Sequence, residues 1–138
     1  MKVDEAGMIT IDIVLLGMGA DGHTASLFPN HALLNQNDGA WVQYLCDSPK
    51  APPCRVTLSL QAINNARQKL ILCAGAPKLA LMEEIRGGGA RLDMPISLVI
   101  NAVWGSEQEQ GIVVSSLLAH LQLDLLRPSH ERLFYTYF

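Results

Sequence analysis

The apolar positions of this chain fall into short runs separated by glycine- and proline-rich breaks, and the runs differ in period. Ile11–Gly17, "IDIVLLG", is β-branched and apolar and ends in glycine, which suits a buried strand of a parallel sheet. Trp41–Cys46 predicts a second strand and Arg55–Leu60, "RVTLSL", an alternating third. Lys69–Ala74, "KLILCA", predicts a buried fourth, and Ile96–Ile100, "ISLVI", a last one. Between them the pattern turns helical. Thr24–Leu27 predicts a short helix stopped by Pro29, and Gln61–Arg67 one or two turns. In "GAPKLALMEEIRGGG", Pro77 suits a first helical position, Leu79, Met82 and Ile85 recur on one face, and Gly87–Gly89 stops the helix. "NHALLNQNDGA" reads as a loop, and "DSPKAPP" carries three prolines that lack donors, which rules out regular structure there. Strands alternating with helical segments predict an α/β fold on a parallel sheet. The tail differs in character: "GIVVSSLLAHLQLDLL" reads as an amphipathic helix or as an apolar run without a partner, and no chemistry attaches to it.

Length and composition narrow the picture. The 138 residues fit one domain with a core of its own, and 49% apolar against 17% charged residues is a globular balance. The net charge is −3 and lysine and arginine do not cluster, so a nucleic-acid partner has no electrostatic support. Cys46, Cys54 and Cys73 are an odd number without paired spacing. That argues against a disulfide scaffold or a zinc ribbon, suits a reducing cytosol and makes each a small buried hydrophobe. Acidic residues at Asp4, Glu5 and Asp12 spoil a signal peptide, and no run approaches the about 18 apolar residues of a membrane span. A cytoplasmic protein without membrane contact is expected.

The chemistry concentrates in "LLGMGADGHTASLFP", residues 15–29. Gly17, Gly19 and Gly22 make a G-x-G-x-x-G after a strand, yet Asp21 inside that turn would repel a pyrophosphate, and the only acidic residue near the ribose position, Asp38, lies in a loop. Gly17–Thr24 also has the frame of a phosphate loop, but His23 stands where the lysine that holds terminal phosphates is required. What remains is an imidazole beside a carboxylate on a glycine-pinned turn. Imidazole titrates near neutrality and can move a proton without a metal. A carboxylate two residues away can orient it, and backbone N–H groups of the turn, those of Gly19 and Gly22, can hold a developing oxyanion. These parts suit general-base activation of water against a carbonyl. The same Asp-Gly-His also fits a plain solvated turn. Asp21, His23 and His31 lack metal-ligand spacing, and His120 and His130 lie in the tail.

Four stretches, in order, carry a family likeness. "DIVLLGMGADGHTASLFP" closely resembles the signature of 6-phosphogluconolactonases. "DSPKAPPCRVTLSLQAINNAR", "LILCAGAPKLALMEEI" and "MPISLVIN" resemble the segments that follow it in that family. The likeness spans about residues 10–101 and corresponds to the family's C-terminal portion. It implies a three-layer, Rossmann-like parallel-sheet fold truncated at its N-terminus, with residues 1–104 the C-terminal part of the lactonase domain and 105–138 an unassigned tail. The implied activity is hydrolysis of 6-phospho-D-glucono-1,5-lactone to 6-phosphogluconate in the pentose phosphate pathway, with no metal or organic cofactor and a small sugar phosphate as partner.

By the same resemblance His23 matches the general base and Asp21 its supporting carboxylate. Lys78 matches a lysine that binds substrate phosphate, and Arg55 and Lys50 match positions near the sugar phosphate. A first-turn lysine is ordinarily just solvated, but it opposes the helix dipole, and that misfit favours a bound anion at Lys78. Glucosamine-6-phosphate deaminases share the fold but carry a glutamate before the proline, where this chain has Phe28; a phenyl ring cannot charge or position the histidine, so hydrolysis is favoured. The family's Ser-Gly-Gly and Asp-Glu-Arg motifs have no counterpart in this chain. Weak or absent turnover by this polypeptide alone is therefore expected, with a silent sugar-phosphate binding domain or an inactive fragment as the alternatives.

Overall fold

The computed structural model describes residues 10–87, 93–99, 103–106 and 133–135, together with Val3, Glu5 and Gly7. Four strands form a parallel sheet in the order β5-β4-β1-β6: β1 (Ile13–Gly17), β4 (Gln68–Cys73), β5 (Val103–Ser106) and β6 (Leu133–Tyr135). β1 lies inside the sheet, paired to β4 from Ile13↔Gln68 to Gly17↔Leu72. Side-by-side residues of parallel strands share a face, so Val14 and Leu16 lie with Lys69, Ile71 and Cys73. That face carries the core: Val14, Leu16 and Ile71 are closed to solvent and pack in one cluster with Ile63, Leu81 and Met82. The opposite face is less covered, with Leu72 45% exposed.

Two helices flank β4 in sequence. α1 (Leu60–Asn64) starts where the Ser59 hydroxyl accepts from the Ala62 N–H at 3.0 Å. It ends at a cation: the buried Lys69 ammonium donates to the Asn64 and Ala66 carbonyls at 3.2 and 2.9 Å, meeting the negative end of the helix dipole. Burial lowers the pKa of that ammonium. α2 (Ala76–Arg86) follows β4 through Gly75, whose φ of 91° only glycine adopts readily, and runs from Pro77 in its first turn to Gly87.

The remaining strands, β2 (Val42–Leu45) and β3 (Arg55–Leu58), pair antiparallel outside the main sheet. Alternation along the chain predicts these strands but not their partners; the segment joining them is too short for a parallel crossover, so they close as a hairpin. Two expected elements change type. Thr24–Leu27 is not a helix but a tight turn in which Thr24 and Leu27 exchange backbone bonds of 3.3 and 2.9 Å. Long-range partners decide this: the Thr24 hydroxyl donates to the Gly17 carbonyl at 2.8 Å, and the Ser26 N–H donates to the Thr57 hydroxyl at 3.1 Å. Ile96–Ile100 is not the last strand; Pro95–Leu98 forms a 3-10 turn, the Ile96 N–H donates to the Gly22 carbonyl at 3.1 Å, and Val103–Ser106 takes the place beside β4. The loop at 30–40 contains a 3-10 turn, Ala32–Asn35, capped by the His31 ring. The helical reading of "GIVVSSLLAHLQLDLL" lies outside the described residues, and within the tail β6 pairs with β1.

Ile71 sits at the middle of this arrangement, fully buried on β4. Ile71→Ala is expected to lower unfolding stability by about 2–5 kcal/mol. Tyr44→Ala, on the outer hairpin face where Tyr44 is 78% exposed, is expected to change it by less than about 0.5 kcal/mol. Urea unfolding of both variants checks the contrast.

Candidate active site

The loop leaving β1 at Gly17 folds back on itself. The Gly19 N–H donates to the His23 carbonyl at 2.9 Å and the Gly22 N–H to the Gly19 carbonyl at 3.0 Å. Gly22 has a φ of 78°, and a side chain there would also run into Met94. Gly19 is needed for space: any Cβ on it would overlap the His23 ring and the Asp21 carboxylate. Glycine at this position lets the imidazole and carboxylate lie across the backbone and meet, His23 Nδ1 to Asp21 Oδ1 at 2.5 Å.

That contact assigns the tautomer. An ionised carboxylate only accepts, so Nδ1 carries a hydrogen, and in the neutral ring Nε2 then presents a lone pair. Among the described residues Nε2 has no hydrogen-bond partner. The other carboxylate oxygen of Asp21 accepts from the Lys50 ammonium at 2.9 Å. Lys50 Nζ also lies 3.2 Å from His23 Nδ1, but a nitrogen donating to Asp21 cannot accept from lysine, so this approach is one of charge and not a second hydrogen bond. Partial burial by itself would raise the Asp21 pKa; the hydrogen bonds from Lys50 and His23, with the imidazole's charge, outweigh it and hold the carboxyl at about 2. Asp21 is thus anionic throughout the neutral range.

The imidazole leans on Phe28, with ring centroids 5.0 Å apart at 31°. Phe28 is buried, and the Arg55 guanidinium lies 5.5 Å from its centroid. Arg55 begins β3 and donates to the carbonyls of Pro52, Lys50 and Ala51 at 3.1, 3.1 and 2.8 Å, so it shapes the segment that carries Lys50. His31 ties the same segment down: Nδ1 accepts from the Leu33 N–H, which leaves Nε2–H to donate to Asp47 at 3.1 Å and lower that carboxyl's pKa.

The sequence-predicted residues therefore separate into two groups. Asp21, His23 and Lys50 are in direct contact, and Arg55 joins them through Phe28 and the Lys50 carbonyl. Lys78 touches none of them among the described residues. It stands in the first turn of α2, after β4, and β4 lies beside β1 in parallel, so both the His23 loop and Lys78 are at the carboxyl edge of the sheet. One expectation is corrected. The Gly19 and Gly22 N–H groups are not available as oxyanion donors, because closing the loop uses both; the N–H of Ala20, an exposed residue, has no backbone partner among the described residues. Lys50 spends part of its donor capacity on Asp21, and Arg55 part of its own on the loop carbonyls. Sequence reasoning missed Phe28 as the platform under the imidazole and Met94 as the packing beneath Gly22; spacing along the chain holds no signal for either contact.

Both the sequence and the fold have counterparts among known proteins. A family model described as glucosamine-6-phosphate isomerases/6-phosphogluconolactonase matches residues 2–107. The chain is 40% identical over 106 residues to a probable 6-phosphogluconolactonase 5 of Arabidopsis thaliana, covering 75% of this chain and 42% of that protein. It is 45% identical over 78 residues to a probable chloroplastic 6-phosphogluconolactonase 4 of Oryza sativa, covering 56% and 24%. Among solved structures, the 6-phosphogluconolactonase of Trypanosoma brucei superposes with a TM-score of 0.59 at 31% identity, over 81% of this chain and 47% of that one. The enzyme of Thermotoga maritima gives 0.56 at 31%, over 70% and 43%. The chain spans less than half the length of these relatives.

The ionised state of Asp21 has a measurable consequence. Its folded pKa of about 2 lies below the ordinary 3.8, so its ion pairs stabilise the fold above that ordinary value, and the contribution is lost as pH falls through about 2. The difference in urea stability between wild type and Asp21→Asn should be full at about pH 6 and vanish at the acid end. With residues 2–107 matched to its model and the Asp21–His23 loop in place at the carboxyl edge of a parallel sheet, this chain belongs to the glucosamine-6-phosphate isomerase/6-phosphogluconolactonase family.

Proposed function

We propose that this chain carries the proton-transfer loop of a sugar-phosphate lactonase, which hydrolyses 6-phospho-D-glucono-1,5-lactone to 6-phosphogluconate in the pentose phosphate pathway. One observation supports the reading above others: Asp21 takes His23 Nδ1–H and leaves Nε2 as a base without a partner among the described residues. Nε2 accepts a proton from water as the water oxygen bonds to the C1 carbonyl, whose electron pair moves onto oxygen. Collapse of that tetrahedral centre breaks the bond to the ring oxygen, which takes the proton back from the imidazolium. Asp21, anionic at neutral pH, stabilises the imidazolium between the two steps. The Ala20 N–H, left without a backbone partner among the described residues, is the loop donor assigned here to the developing oxyanion. Lys78 meets the phosphate from the same sheet edge, and Lys50 acts through Asp21.

Phe28 favours hydrolysis over isomerisation and deamination. It packs against the imidazole and contributes no carboxylate to a ring-opening relay. The relatives named above are called 6-phosphogluconolactonases, in keeping with this choice.

Proton release from freshly prepared 6-phosphogluconolactone, corrected for spontaneous opening, tests the assignment. Turnover by this chain alone is expected to be weak, and His23→Ala is expected to remove what exceeds spontaneous opening, a general base being worth about 10²–10⁴-fold. Lys78→Ala is expected to raise KM with a smaller change in kcat. Equal rates above spontaneous opening in wild type and both variants would overturn the mechanism, and binding of 6-phosphogluconate without any His23-dependent turnover would make the chain a sensor and not a catalyst.

A further inference from the structure

The cysteines have no paired spacing along the chain, yet the β2–β3 hairpin sets two of them opposite each other. Its register pairs Val42↔Leu58, Gln43↔Thr57, Tyr44↔Val56 and Leu45↔Arg55, so the next rung is Cys46 with Cys54. The stem continues beyond that rung, because the Ser48 N–H donates to the Pro53 carbonyl at 3.1 Å. Opposed residues of an antiparallel pair have Cα atoms about 4.5–5.5 Å apart, inside the about 4.4–6.8 Å that a disulfide spans. Alternation puts both cysteines on the face of Tyr44 and Val56, and both thiols are exposed. Cys73 is separate: it is buried, with Sγ 3.4 Å from Met82 Sδ. The Cys46 thiol responds to its neighbour, its pKa raised first of all by hydrogen bonding to Cys54.

We propose that Cys46 and Cys54 form a dithiol site that exchanges with low-molecular-weight disulfides and closes the Lys50 segment into a covalent ring. One protein thiolate attacks a sulfur of the small disulfide and expels a thiolate, which takes up a proton. The second protein thiolate attacks the mixed disulfide and expels the other half. Two electrons pass from the protein to the small disulfide, which leaves as two thiols. The bridge forms on the outward face of the hairpin. Leu45 and Arg55, one rung away, point to the other face, where Arg55 approaches Phe28, so oxidation restrains the Lys50 segment without entering the site.

Peptide mapping of the full chain tests this, whatever its catalytic activity. Trypsin cuts after Lys50 and after Arg55, which puts Cys46 on peptide 3–50 and Cys54 on peptide 51–55. After incubation with glutathione disulfide, alkylation of free thiols and digestion without reductant, the two peptides are expected as one linked species from monomeric protein. That species should be lost with dithiothreitol, lost in Cys46→Ser and in Cys54→Ser, and retained in Cys73→Ser. Separate peptides each carrying a glutathione adduct, a link to Cys73, or a link found only in dimers would overturn the proposal.

Discussion

The contact between His23 and Asp21 across the bare backbone of Gly19 is the constraint on which the site depends. A carboxylate and an imidazole two residues apart would ordinarily diverge into solvent. Here the loop closes through its own N–H groups, and the absence of a Cβ at Gly19 lets the two side chains lie over the peptide and bond. The arrangement engages Nδ1 and leaves Nε2 without a hydrogen-bond partner among the described residues. It also fixes where Asp21 points its second oxygen, and therefore where Lys50 must come. The glycines of this loop thus act by space and backbone conformation, and their N–H groups are used in holding the turn together.

Around that contact the fold supplies walls from distant parts of the chain. The loop's floor is Met94, held near by the bond from Ile96 N–H to the Gly22 carbonyl. Its flank is Phe28, buried because the Thr24–Leu27 turn is tied to Gly17 and Thr57. The hairpin brings Lys50 and Arg55 to the opening. A cation pairing with Asp21 keeps the carboxylate ionised, and an apolar ring beside the imidazole limits the water that reaches it from that side. The same hairpin carries Cys46 and Cys54 exposed on its outer surface, while Arg55 on its other face approaches Phe28.

Strand and helix positions were legible in the sequence wherever the period of apolar residues was unambiguous. β1, β4 and α2 are cases where burial on a sheet face or a helix stripe leaves a direct imprint. The failures have a common cause. Thr24–Leu27 has local helix character, but its hydroxyl and amide groups find better partners in Gly17 and Thr57. Ile96–Ile100 has strand composition, but Pro95 begins a turn, and the bond to Gly22 holds that turn under the loop. In each case a hydrogen bond to a residue far along the chain outweighed a preference set by neighbours.

For the site the division is similar. The sequence by itself determined which candidate groups are present: an imidazole and a carboxylate on a glycine-rich turn after a buried strand, and a lysine in the first turn of a later helix. These follow from residue type and short-range spacing, which a linear chain displays directly. Only the tertiary structure decided that Lys50 bonds to Asp21, that Phe28 underlies the imidazole, that Gly19 and Gly22 use their N–H groups internally, and that Cys46 faces Cys54. Such facts depend on strand register and on which hairpin crosses which loop. Those are set by packing of the whole core, and no short stretch of sequence contains them.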